Sequence, residues 1–168
     1  MAFYIIRSVS TISVVVALTL FAGLPYSVAQ GADADGQLVI LNKKNPDNTY
    51  PNNCSIPFVT STINFQDNSL GCVNDDAYAF RLENVPSATF FSFYDSPACT
   101  ESGNFSYRFK TIKQPTDMEL GFDIEEAGKK QVGSVVVPGV MLISSSTSGQ
   151  VGGKLSCVKI ERSAVPVP

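Results

Sequence analysis

The clearest alternation of apolar and polar residues lies between residues 70 and 99. Tyr78, Phe80 and Leu82 alternate with Ala79, Arg81 and Glu83, the period-two pattern of a strand with one buried and one wet face. Asn84-Val85-Pro86-Ser87 ends that run, because Pro86 has no N–H to give to a ladder and pushes Val85 toward an extended connection. Phe90, Phe91, Phe93 and Tyr94 follow with apolar side chains at both parities, which predicts a strand buried on both faces. Phe105, Tyr107 and Phe109 then alternate with Ser106, Arg108 and Lys110, a third strand.

The same texture runs through the rest of the chain. A first strand is predicted over 38–41, followed by a polar loop, 42–53, rich in Asn and Pro. Beyond Gly133 come Val135 to Val137, a Pro138-Gly139 turn, a run over 140–143, a Ser/Thr/Gly loop over 144–153 and a last run over 155–160. Short β-branched runs separated by Gly, Pro and Ser predict an all-β sandwich. Between Gln114-Pro115 and Lys129-Lys130, Asp117, Glu119, Asp123, Glu125 and Glu126 hold five of the chain's 15 acids. A short helix there would place acids at its start and lysines at its end, as the helix dipole favours, although Gly121 interrupts it. A solvated loop fits these residues equally well, and the acids would form a second cation site if the fold brought them to Asp75.

Residues 1–29 read differently. Arg7 is their one charge, 12–24 is almost wholly apolar, and Ser27-Val28-Ala29 offers the small residues of a cleavage site, the layout of a secretory signal peptide. A membrane span needs about 20 apolar residues, and this run is shorter. Cleavage after Ala29 leaves 139 residues with 11 Lys and Arg against 15 Asp and Glu, a net charge of −4. The expected organisation is a flexible lead-in over 30–36, one sandwich domain over 37–162 and a frayed tail over 163–168. A chain of this size buries roughly two thirds of its unfolded surface, enough for one core. Basic residues never cluster beyond the pairs Lys43-Lys44 and Lys129-Lys130, which argues against nucleic acid as a partner.

All four cysteines, Cys54, Cys72, Cys99 and Cys157, lie beyond the leader. An even count in an exported chain points to two disulfides, each worth about 2–4 kcal/mol. Zinc would want closer pairs, and the chain has no histidine. Four cysteines allow three pairings; Cys54 with Cys72 and Cys99 with Cys157 is the one expected here. Asn53-Cys54-Ser55 and Asn104-Phe105-Ser106 match the N-glycosylation acceptor pattern, which matters only in a host that glycosylates its exports.

Asn74-Asp75-Asp76 stands between Cys72 and the first of the alternating strands. Short polar side chains there cap a turn through their own backbone. Three oxygen-bearing side chains in sequence also offer the hard ligands that calcium prefers.

The order Asn-Asp, strand, Pro-Ser, aromatic strand and Tyr-Asp-x-Pro resembles the βγ-crystallin Greek-key pattern. In that family a calcium signature of paired Asn/Asp leads into a strand, and the next motif opens on an aromatic strand and a Tyr corner. Asn74 and Asp75 match the paired acid and amide, and Tyr94-Asp95-Ser96-Pro97-Ala98-Cys99 with Gly103 matches the corner. Tyr78 and Ala79 stand where the signature has hydroxyl residues, and Cys99 stands where the corner has an aromatic. The strand, Pro corner and Cys54 of 38–54 parallel those of 90–99, a loose internal repeat of two Greek-key motifs. The resemblance implies a Greek-key β-sandwich, with calcium at Asn74, Asp75 and Asp76 or a remnant of that site, and a family that includes antimicrobial, toxin-like members.

Catalysis is not expected. Without histidine the chain has no Ser-His or Cys-His chemistry. The pairs Asp75-Asp76 and Glu125-Glu126 could serve a glycosidase only if they faced each other, whereas neighbours on a strand point to opposite faces. Two functions remain: a secreted, extracellular, monomeric βγ-crystallin-like binding protein with calcium as its cofactor and an antimicrobial or virulence role, or a metal-free sandwich whose loops 42–53, 95–104 and 144–153 bind a protease, a host receptor or another cell-surface partner.

Overall fold

The computed structural model describes residues 36–67 and 70–163. The leader over 1–29, all but Gly36 of the lead-in and the tail beyond Ser163 lie outside the described residues. Among the described residues ten strands, one short α-helix and a 3-10 turn, Phe65–Asp67 after β3, follow in chain order: β1 (Gln37–Leu41), β2 (Asn52–Pro57), β3 (Ser61–Asn64), β4 (Ala79–Glu83), β5 (Phe90–Tyr94), β6 (Phe105–Thr111), β7 (Phe122–Asp123), α1 (Ile124–Gly128), β8 (Val135–Val137), β9 (Val140–Thr147) and β10 (Cys157–Glu161). They form two antiparallel sheets, one of four strands in the order β2-β1-β4-β7 and one of six in the order β3-β10-β5-β6-β9-β8.

Register decides which residues face inward. Leu38 lies opposite Leu82 and Ile40 opposite Phe80 across β1 and β4, while Phe91 lies opposite Phe109 and Phe93 opposite Tyr107 across β5 and β6. These eight side chains belong to one buried cluster that joins the two sheets. Phe80 of the smaller sheet meets Phe93 at 5.3 Å and Phe109 at 5.7 Å between ring centroids, so the sheets lock through aromatic contacts. Each such ring removed from water contributes about 1.5–3 kcal/mol, and tilted pairs add to that.

Several local expectations are corrected. The aromatic strand β5 is not buried on both faces: Phe91, Ser92 and Phe93 are buried, but Phe90 and Tyr94 are half-exposed on the outer face. Residues 144–147, read as loop, extend β9, because Ser144 and Ser146 pair with Arg108 and Ser106 on β6. Tyr78 precedes its strand rather than opening it, and Ala79 is fully buried. Asn52 and Asn53, assigned to the polar loop, already belong to β2. The acidic segment holds a helix of five residues, Ile124–Gly128, which starts after Gly121. The Asp123 side chain caps it by accepting from the Glu126 N–H, and Lys129 pairs with Glu125 at 2.8 Å and Glu126 at 3.0 Å.

Cys54 is bonded to Cys72 and Cys99 to Cys157, with Cα–Cα distances of 4.9 and 5.4 Å. Such bonds persist in an oxidising, extracellular-type environment. Among the described residues no helix is long and apolar enough to cross a membrane.

Candidate functional site

The chain leaves the core where the smaller sheet ends. Thr116 bridges Val85, and the Met118 N–H donates to the Leu82 carbonyl at 2.9 Å. Phe122 then pairs with Phe80 in β7. From Leu82 to Phe80 the strand β4 advances two residues, whereas the facing segment advances four from Met118 to Phe122, so Glu119-Leu120-Gly121 bulges off the sheet edge. The bulge carries Leu120 into solvent, 80% exposed.

A second segment meets the bulge. Residues 42–51 fold back over the outer face of the smaller sheet, and Tyr50 covers Val39, Leu41 and Ala79. Asp47 fixes the tip, its carboxylate accepting from the Thr49 hydroxyl at 2.6 Å and the Thr49 N–H at 3.0 Å. Those two bonds hold its pKa below the usual carboxylate value. Gly121 lets the segments touch: a Cβ there would collide with the Leu41 side chain and lie 3.1 Å from the Tyr50 ring. Burial, and then the Asp123 carboxylate, push the Tyr50 phenol above its ordinary pKa.

Two clefts result, one on each side of Leu120. The first, about 390 Å³, is lined by Leu41, Lys44, Asn48, Thr49, Tyr50, Arg81, Glu119, Leu120 and Gly121. Lys44 lies over the Tyr50 ring at 5.6 Å, and Arg81 is tied to Glu83, which also accepts from Gln37. The second, about 410 Å³, is lined by Asp117, Met118, Glu119, Leu120, Gly121, Phe122, Val137 and Pro138. The second is mostly apolar, whereas the first mixes Leu41, Tyr50 and Leu120 with Lys44, Asn48, Thr49, Arg81 and Glu119; clefts that combine apolar walls with polar groups are the usual form of a binding site. Asp117 accepts from the Asn84 N–H at 3.3 Å, and neither Asp117 nor Glu119 joins an ion pair among the described residues.

The residues singled out from the sequence lie elsewhere. Asn74 and Asp75 form a turn, with Asp75 in the left-handed region at φ 57°, a conformation that Asp tolerates. The Cys54–Cys72 bond and the Asn53 side chain pin the approach to it, Asn53 accepting from the Val73 N–H at 2.8 Å and donating to its carbonyl at 3.2 Å. The Asn74 side-chain oxygen is buried without a partner, while Asp75 is exposed and Asp76 half-buried. Among the described residues no three His, Cys, Asp or Glu side chains gather as metal ligands. Of the three loops, 42–53 contributes to the first cleft, whereas 95–104 and 144–153 lie away from both. Asn104 stands just before β6, its N–H held by the Asp95 carboxylate at 2.7 Å.

Leu120 was hidden by charge. Met118, Leu120 and Phe122 alternate with Asp117, Glu119 and Asp123, a strand-edge pattern that reads as an acidic run when only its charges are counted. No protein-family model, curated protein or solved structure matches the chain.

Proposed function

We propose that this protein is an exported, non-enzymatic binding module that grips an extended segment of a partner protein across Leu120. The observation that carries this is Leu120 itself, 80% exposed between two clefts of about 390 and 410 Å³. A branched apolar side chain raised between two clefts offers the kind of central anchor on which protein interfaces depend. On the second cleft, whose lining holds no basic residue, Asp117 and Glu119 make no ion pair among the described residues and favour a segment in which apolar residues are joined by a basic one. Export rests on the leader-like residues 1–29 and is supported by the two disulfides.

The experiment is selection of a displayed random-peptide library on the oxidised protein, residues 30–168. Peptides combining apolar and basic residues should be enriched, and Leu120→Ser should weaken the selected peptides about thirtyfold or more, the weight of a hot-spot side chain. Its melting temperature should stay unchanged, since Leu120 is not in the core. Enriched peptides that bind Leu120→Ser equally well would overturn the proposal.

A second reading keeps the βγ-crystallin kinship, its Greek-key order and its calcium. What favours it is the buried, unpartnered Asn74 side-chain oxygen at a turn that also carries Asp75 and Asp76. Under this reading, saturating calcium raises the melting temperature by several degrees, because a ligand at 100 times its dissociation constant adds about 2.7 kcal/mol, and Asp75→Ala removes the rise. An equal melting temperature in chelator and in millimolar calcium would rule this reading out.

A further inference from the structure

The outer face of the six-stranded sheet turns apolar toward one edge. Cross-strand register sets Glu161, Phe90, Lys110, Met141 and Val135 in one row across β10, β5, β6, β9 and β8, and such partners share a face. Phe90, Lys110 and Met141 are half-exposed, and Val135 is 52% exposed. Ile112 takes the next outward position after Lys110, past the buried Thr111. It is 43% exposed, and its N–H donates to the Gly139 carbonyl at 2.8 Å. Ile112 and Met141 therefore flank Lys110, with Val135 beyond Met141. β8 ends the sheet, and its outer edge pairs with no strand among the described residues. A free edge carrying an exposed valine is a surface that proteins usually cover or charge.

The charges on this face select what covers it. Glu161, at the far end of the row, is already engaged by Arg108 at 3.2 Å and Lys159 at 3.1 Å. Lys110 stands over the Phe90 ring at 5.4 Å and makes no ion pair among the described residues, nor does Lys113 beside Gly139. At the Leu120 bulge the balance is reversed: an exposed leucine stands beside Asp117 and Glu119, and neither acid has a basic partner. The chemistry that the bulge calls for, apolar side chains around a free base, is thus present on the chain's own surface. Opposite charges set across an apolar contact steer association and fix its register.

One molecule cannot bring its own halves together. The bulge leaves the edge of the smaller sheet, the row lies on the outer face of the larger, and both sheets are joined through a single core. Resting on the Leu120 reading above, we propose that the partner gripped there is a second copy of this chain, whose Lys110, Ile112, Met141 and Val135 receive the Leu120 bulge. Because the two halves are different surfaces, the contact is head to tail and each bound copy presents a free half to the next.

The test measures the mean mass of the oxidised protein, residues 30–168, by sedimentation equilibrium from micromolar to millimolar concentration in low and high salt. Mass should climb past that of a dimer with concentration and fall in high salt, which screens the pairing charges. Leu120→Ser should weaken association about thirtyfold or more and Lys110→Glu about tenfold or more, each with a circular dichroism spectrum that matches the wild type. Mixed in equal amounts, the two variants should form a dimer and nothing larger, because each keeps the half that the other lacks. A wild type that stays monomeric at millimolar concentration, assembly that either substitution leaves unchanged, or a mixture that behaves as its separate components would each overturn the proposal. If selected peptides still bind through Leu120 in that case, the Leu120 site stands and its partner is another protein.

Discussion

Tyr107 shows how one side chain can couple a sheet to a helix. Its ring is buried where β6 passes under α1, so close to Gly128 that a Cβ at that position would collide with the ring. Its hydroxyl meets that of Thr147 at 2.8 Å. Burial holds its phenol above the ordinary Tyr value, an effect the Thr147 bond opposes and the Glu125 charge reinforces. A group whose folded pKa is raised stabilises fully below its unfolded value, about 10 for Tyr, and that contribution fades as pH climbs toward the folded value. Melting temperature should therefore fall as pH is raised above about 10, and Tyr107→Phe, which removes the ionising group, should fall less steeply. A variant that tracks the wild type would show that Tyr107 does not titrate against burial.

At the scale of elements, the two disulfides close loops of very different length, 18 and 58 residues. Chain-entropy reasoning assigns about 3 kcal/mol to the shorter and about 4 kcal/mol to the longer. Replacing Cys99 and Cys157 together by Ser should thus lower stability in urea unfolding more than replacing Cys54 and Cys72. The reverse order would mean that the short staple, which holds β2 to the Asn74 turn, carries native interactions beyond loop closure. Strands with strict alternation, such as Phe80 to Glu83 and Phe105 to Lys110, were legible in the sequence because burial on one face writes a period of two. The failures have physical causes. Ser144 and Ser146 look like loop residues, yet they stand on the wet outer face of β9, where hydroxyls satisfy the alternation. Ala79 sits at a polar position of its strand and is buried because Tyr50 returns over it from a distant segment, a contact that no local pattern encodes. The Leu120 bulge depends on a mismatch between β4 and its partner segment, which appears only once register is known.

At the scale of the molecule, the two sheets spend their inner faces on one aromatic core and treat their outer faces differently. The smaller sheet is roofed by residues 42–51 and edged by the Leu120 bulge, giving the two clefts beside Leu120. The larger presents cross-strand rows of charged and hydroxyl side chains. The proposed partner site lies on the former, because burying apolar surface drives association. The measurement that tests this most directly is amide hydrogen exchange of the oxidised protein with and without a selected peptide. Protection should gather in 117–122 and 44–50, the segments that form the two clefts, and should vanish in Leu120→Ser. Protection in 95–104 and 144–153 instead, with those segments unchanged, would contradict the account and place the partner on the opposite sheet.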